Sequence, residues 1–257
     1  MKIGVIGLGI IGTRMALRWS QAGHEVMGWN RTAARAQGIG LRLAATPAGL
    51  ARECDRIMIV VADPAALEAV ISGPDGVAGV NLTGKVVFNA STVGGKHNQR
   101  AQTAVESAGG AFLETPFTGS KEGAEQGKLV FYAGGDAALL RREEPLLLHV
   151  GQKVIHFGRV GNAADVKLIM NMMVANLMQA MAEGFALARK AGLNMDSFLD
   201  AYRLNAGWCK LSEMKTPKIL AGDYSTHFAL KHMDKDLRLA LERATELGLS
   251  LPQSARA

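Results

Sequence analysis

The chain of 257 residues has only two cysteines, Cys54 and Cys209, far apart in sequence. That excludes a disulfide scaffold and fits a reducing cytoplasm. Aromatic residues are scarce, at 5%, and no block of like charge stands out, which leaves nucleic acid without an obvious footprint. No apolar run approaches the roughly 20 uncharged residues of a membrane helix. The start, Met1-Lys2-Ile3-Gly4-Val5-Ile6-Gly7, has neither the apolar stretch nor the cleavage site of a signal peptide. The six histidines (His24, His97, His149, His156, His227 and His232) show no ligand spacing with nearby Cys, Asp or Glu, so no metal site is expected. Neither a G-x-S-x-G elbow nor a Walker-type phosphate loop occurs. The 30 glycines follow no three-residue period, which excludes a collagen-like chain.

What is present describes a globular protein. Hydrophobic residues make up 48% and charged residues 20%, enough apolar material for a sizeable core in one large or two modest domains. The net charge of +6 is scattered. It reads first as a solvated surface with a mild excess, and next as a preference for small anions.

Organisation changes along the chain. Lys2–Ile6, Glu25–Trp29, Arg56–Val61 and Lys85–Asn89 are short, apolar and rich in β-branched residues, as buried strands are. Between them, 10–21, 32–37, 64–72 and 95–107 read as helices. This alternation predicts an α/β fold with a doubly wound parallel sheet. Residues 111–113, 129–133 and 153–157 add short strands, and Asp136 caps a helix running to about His149. After the glycine-rich Gly158–Gly161, residues 162–191 hold no proline and carry apolar side chains at helical spacing. One helix of about 45 Å is expected there. Residues 197–203, 208–214 and 229–247 look helical too. The expected domains are therefore residues 1–160, built on the sheet, and 161–257, all helical. The methionines of the long helix (Met170, Met172, Met173, Met178, Met181) read as core or subunit interface rather than as a cofactor box.

Three segments carry candidate chemistry. Gly7-Leu8-Gly9-Ile10-Ile11-Gly12 fits G-x-G-x-x-G, follows an apolar strand and opens a helix, which is the dinucleotide fingerprint in its required context. An NAD site usually has an acid about 20 residues on, at the ribose 2′-OH. Here Asn30, Arg31 and Thr32 stand instead, offering donors and a fixed positive charge, so NADP(H) is expected. The second segment opens the long helix: Lys167 and Asn171 are i and i+4, on one face, just past the expected hinge. A partly desolvated lysine there can protonate the oxygen of a carbonyl receiving hydride, with Asn171 beside it. A lysine snorkelling to solvent is an equal reading from spacing alone. The third comprises two possible anion cradles, Ser91-Thr92-Val93-Gly94-Gly95 and Thr118-Gly119-Ser120-Lys121, each explained as well by ordinary turn chemistry. Late in the chain, Lys235-Asp236 reads as an exposed ion pair.

Together these motifs resemble the β-hydroxyacid dehydrogenase family (3-hydroxyisobutyrate dehydrogenase-like), and within it the glyoxylate/succinic semialdehyde reductase branch. The resemblance implies a Rossmann domain joined by the long helix to an all-α one, and an NADPH-dependent reductase of a small aldehyde or keto acid bearing a carboxylate. It implies Lys167 as the catalytic acid with Asn171 beside it, and Thr118, Gly119 and Ser120, following Ser91, holding the substrate. Thr92 and Lys235 would line the nicotinamide end, while Phe228 and Asp236 would close the pocket. A homodimer or homotetramer through the helical domain is implied as well. Departures from the family pattern are Thr118 where Ser is more usual, Gly94-Gly95 in place of Asp or Ser before Pro, and Ala163 in place of Gly. Family members usually continue in further helix beyond Ala257. Rival readings are an imine reductase, whose pocket would be more apolar and lack this lysine, and a non-catalytic binding module such as chromatin-associated relatives that lose it.

Overall fold

The computed structural model describes residues 1–226 and 228–257; His227, surveyed above among the histidines, lies outside the described residues. The chain divides into two compact units, Met1–Leu168 and Ile169–Ala257.

The first unit opens with β1 (Lys2–Ile6), α1 (Ile10–Gln21), β2 (Glu25–Trp29), β3 (Arg42–Leu43), α2 (Pro47–Glu53), β4 (Arg56–Ile59), α3 (Pro64–Ser72), β5 (Val86–Asn89), α4 (Gly95–Ser107) and β6 (Ala111–Glu114). The six strands form one sheet in the order β3-β2-β1-β4-β5-β6, parallel throughout. This is the doubly wound Rossmann order, with its switch point between β1 and β4. Helices cover both faces, so the strands are apolar on both sides and their side chains alternate between two cores. Met58, Phe88 and Leu113 point into one; Ile57, Ile59, Val87 and Phe112 point into the other.

A smaller sheet follows: β7 (Phe117–Thr118), α5 (Lys121–Glu125), β8 (Leu129–Ala133), α6 (Ala137–Leu148) and β9 (Gly151–His156). Its order is β7-β8-β9, antiparallel then parallel. Asp136 caps α6 as expected, accepting from the Leu139 N–H at 2.6 Å. Trp19 of α1 is fully buried and its indole N–H donates to the Leu146 carbonyl at 2.9 Å, which ties α1 to α6.

The long helix α7 (Asn162–Lys190) spans 29 residues and runs from the first unit into the second. The second unit adds α8 (Met195–Arg203), α9 (Lys210–Ala221) and α10 (Leu230–Glu246). Its buried side chains are mainly aliphatic, with one aromatic cluster around Phe185. Phe185 meets Phe198 and Tyr202 edge-on, with ring centroids 5.8 and 6.0 Å apart, and Trp208 meets Tyr202 at 5.1 Å.

Several expectations need correction. The helix expected at 32–37 is a single 3-10 turn, Ala33–Ala36, because Thr32 makes no side-chain cap and Gly38 and Gly40 take left-handed φ just beyond. Helix α2 was not foreseen: seven residues are too few to display a period, although Thr46 caps it through the Gly49 N–H and Pro47 opens it. The helix expected at 208–214 instead runs from Lys210 to Ala221 and carries Pro217 inside it. The loop expected at 118–121 is the end of β7 followed by α5.

Candidate active site

The glycine turn sits at the carboxyl end of β1, beside the switch point. Gly7 takes φ +99° and donates its N–H to the Trp29 carbonyl at 2.8 Å, so the turn is pinned to β2. A Cβ on Gly7 would collide with the Val60 carbonyl, and one on Gly12 with the Gly7 carbonyl. Gly9 is different: a Cβ there would meet nothing within 4 Å. It precedes α1 without any side-chain cap, and the first turn of α1 contains no acid. Free N–H groups and the positive end of a helix dipole thus face open space, which fits a dinucleotide pyrophosphate. Leu8 and Ile10–Ile11 complete the turn.

Asn30 has a role that spacing did not reveal. Its Oδ1 accepts the Leu8 N–H at 3.2 Å and its Nδ2 donates to the Thr32 carbonyl at 2.9 Å, so it clamps the phosphate turn to the end of β2. Arg31 is exposed, and no described residue pairs with it.

The two possible anion cradles differ. Ser91 is buried, and its hydroxyl accepts the Val61 N–H at 2.9 Å, tying the ends of β4 and β5 together. Thr92 beside it is half-buried. Thr118, Gly119 and Ser120 are exposed. The Ser120 hydroxyl caps α5 by accepting the Gly123 N–H at 3.1 Å, which leaves its hydrogen to donate. Tyr132 is half-buried, and burial pushes its phenol up while the Thr118 side chain acts against the rise. Arg14 pairs with Glu125 at 2.7 Å, and Arg18 donates to the Glu125 carbonyl at 2.9 Å, so α1 and α5 are clasped together.

Lys167 is partly buried on α7, inside the first unit. The first turn of α7 is anchored on Glu114, the last residue of β6, whose Oε1 accepts the N–H groups of Gly161 and Ala163 at 2.8 Å each. Gly161 also lies against Gly95, where a Cβ would come within 3.1 Å of the Gly161 Cα. That close approach suits the Gly94-Gly95 departure from the family pattern. Sequence reading passed over Glu114, because its partners lie 47 and 49 residues away and leave no local signal.

In the second unit, Asn171 donates to Asp236 Oδ2 at 2.5 Å, and Lys235 Nζ stands 2.7 Å from Asp236 Oδ1 in an ion pair without hydrogen-bond alignment. Asp236 is 1% exposed. The exposed pair expected from sequence is therefore a buried carboxylate, and a buried charge persists when partners satisfy it. Phe228 is exposed and its ring packs near His232, centroids 5.9 Å apart.

Residues 2–158 match the NAD binding domain of 6-phosphogluconate dehydrogenase, and residues 161–257 match the NAD-binding domain of NADP-dependent 3-hydroxyisobutyrate dehydrogenase. The chain is 35% identical over 260 residues to glyoxylate/succinic semialdehyde reductase 1 of Arabidopsis thaliana, covering 100% of this chain and 90% of that protein. It is 35% identical over 258 residues to the cytokine-like nuclear factor N-PAC of Mus musculus, covering 100% of this chain but 46% of that protein. Among solved structures, a 3-hydroxyisobutyrate dehydrogenase of Mycobacterium tuberculosis with L-serine superposes with a TM-score of 0.88, at 27% identity, over 99% of this chain and 90% of that one.

Proposed function

Since the chain belongs to the β-hydroxyacid dehydrogenase family of NAD(P)-dependent oxidoreductases, we propose that it is an NADPH-dependent reductase of small carboxylate-bearing aldehydes or keto acids, such as glyoxylate or succinic semialdehyde, with Lys167 as general acid. One observation carries this reading. The glycine turn after β1 and the start of α7, held at the end of β6, lie at the same carboxyl edge of one parallel sheet. Ligands of open α/β sheets bind along that edge.

When bound, the reduced nicotinamide supplies the hydride that adds to the carbonyl carbon. Oxygen then gathers negative charge, and the Lys167 ammonium gives it a proton. Thr118, the Gly119 N–H and the Ser120 hydroxyl hold the substrate carboxylate, and Thr92 lines the reacting end. From the helical unit this reading enlists Asn171, Lys235, Asp236 and Phe228. Arg31, exposed beyond β2 where no acid stands, receives the 2′-phosphate of NADPH. Two free cysteines suit a reducing cytoplasm, and the exposed apolar side chains Ile169, Met173 and Leu177 of α7 suit self-association as a homodimer or homotetramer.

NADPH oxidation with glyoxylate, succinic semialdehyde and a cyclic imine tests the substrate class; preferential turnover of the imine would overturn it. Lys167→Ala is expected to lower kcat by about 10²–10⁴-fold, the worth of a general acid, with NADPH binding retained. Full turnover in that variant would remove Lys167 from the mechanism. Arg31→Ala is expected to erode the preference for NADPH over NADH by about tenfold, or ~1.4 kcal/mol. An unchanged preference in steady-state kinetics would refute that assignment.

A further inference from the structure

Glu114 is 0% exposed, and no step of the proposed reaction uses it. It gathers three elements onto one residue. Its backbone exchanges two hydrogen bonds with Gly134 at the end of β8, at 3.0 and 2.9 Å. Its Oε1 accepts the N–H groups of Gly161 and Ala163 at 2.8 Å each. These are two of the four N–H groups that the start of α7 leaves without intrahelical partners; a third, of Asn162, donates to the Arg159 carbonyl at 3.2 Å. A helix usually takes its cap from its own preceding residues, and a hydroxyl cap satisfies one donor. Here a strand of the sheet supplies a carboxylate that takes two and places negative charge at the positive end of the dipole. The start of α7 is thereby registered to the sheet rather than to its own loop. Its other oxygen, Oε2, is buried without a hydrogen-bond partner.

We propose that Glu114 is a positioning residue for the reaction: its carboxylate fixes the first turn of α7 and so fixes where the Lys167 ammonium stands, one turn beyond Ala163. The inference rests on the reading of Lys167 as the general acid. Burial pushes the Glu114 carboxyl up to about 7, the backbone N–H groups at the start of α7 act against it, and Asp165 on α7 adds to the rise. The elements packed against β6 also carry Lys96, His97, Arg100 and Glu106 on α4 and Tyr132 on β8, and Lys167 follows Asp165 on α7; no described cation forms an ion pair with Glu114. The ionised carboxylate is the stronger acceptor, so the anchor loosens on protonation and turnover falls as pH drops through about 7. Stability runs the other way. The folded carboxyl binds a proton more tightly than an unfolded one, so its contribution is present below about pH 4.5 and is lost as pH rises to about 7.

Two variants of the full chain test this. Glu114→Ala removes the anchor. Glu114→Gln keeps the shape and an acceptor oxygen but does not titrate. In Glu114→Ala, amide exchange across Gly161–Lys167 is expected to accelerate, and kcat to fall about 100-fold, the cost of roughly 1 Å of misplacement, while the substrate KM and NADPH Kd stay within about threefold. In Glu114→Gln the amides stay protected. Its kcat loses the decline below about pH 7, and the difference in melting temperature from wild type varies across about pH 4.5–7. Unchanged amide exchange in Glu114→Ala would overturn the anchor. Faster exchange with unchanged kcat would overturn its link to Lys167. If Glu114→Ala does not fold, the glutamine variant decides: a pH profile that overlays wild type refutes the proposal. Turnover retained in Lys167→Ala would remove the assigned acid and with it this link, whereas amide exchange still reports whether Glu114 holds the helix.

Discussion

The two units bury their apolar residues differently. In the first, every long strand of the parallel sheet is covered on both faces, and Trp19, Phe88 and Phe131 are fully enclosed. In the second, large apolar side chains remain in solvent: Met173 is 51% exposed and Leu204 91%, with Ile169, Leu177, Leu187 and Leu230 also exposed. A unit that closes its own core folds on internal contacts, whereas a contiguous exposed apolar stripe marks a surface made for another. Ile169, Met173 and Leu177 repeat at four residues along α7 and form such a stripe. Polar chemistry divides in a similar way. Glu114 and Ser91 spend their hydrogen bonds on the sheet edge of the first unit, and Asp236 in the second accepts from Asn171 and forms an ion pair with Lys235.

Gly12→Ala is the sharpest attack on the self-contained unit. The added methyl meets the Gly7 carbonyl backbone, which cannot swing aside. A loss of about 1–3 kcal/mol of stability is expected from overpacking, together with loss of dinucleotide binding in fluorescence titration. Retained binding with an unchanged melting curve would show that α1 and the turn have slack. Met173→Glu tests the open unit. It is expected to weaken self-association by about 2 kcal/mol, roughly 30-fold, the cost of burying an unpaired charge, as read by sedimentation across a concentration series. A variant that associates like wild type would mean the stripe is covered by something else or by nothing. Asp200→Ala removes the exposed partner of Arg203 on α8 and is expected to change unfolding stability by less than about 0.5 kcal/mol. A larger loss in denaturant titration would mean the helical unit depends on its surface charges.

Much of the first unit was legible because its signals are local. β1, α1 and β2 match their expected bounds, since an apolar strand, a glycine turn and an amphipathic helix each announce themselves within a dozen residues. α2 escaped because about two turns of helix show no period, and 32–37 misled because a basic, alanine-rich stretch resembles a helix until Gly38 and Gly40 just beyond it are weighed. At the candidate site, the partners of the residues named from motifs were not legible. Asn30 reads as a ribose contact and is also a clamp on Leu8; Ser91 reads as a cradle hydroxyl and is a tie to Val61. Asp236 reads as an exposed acid and is buried, because exposure depends on what packs over a helix face.

Residue order alone determined the parallel sheet, the dinucleotide turn, the missing acid after β2 and the lysine on the long helix, since each depends on neighbours close along the chain. Only the tertiary structure decided that Glu114 holds the start of that helix and that Asp236 is buried between Asn171 and Lys235. Glu114 lies 47 and 49 residues from the helix N–H groups it holds, and Asn171 lies 65 from Asp236, and a hydrogen bond is specified by positions in space that no local pattern encodes.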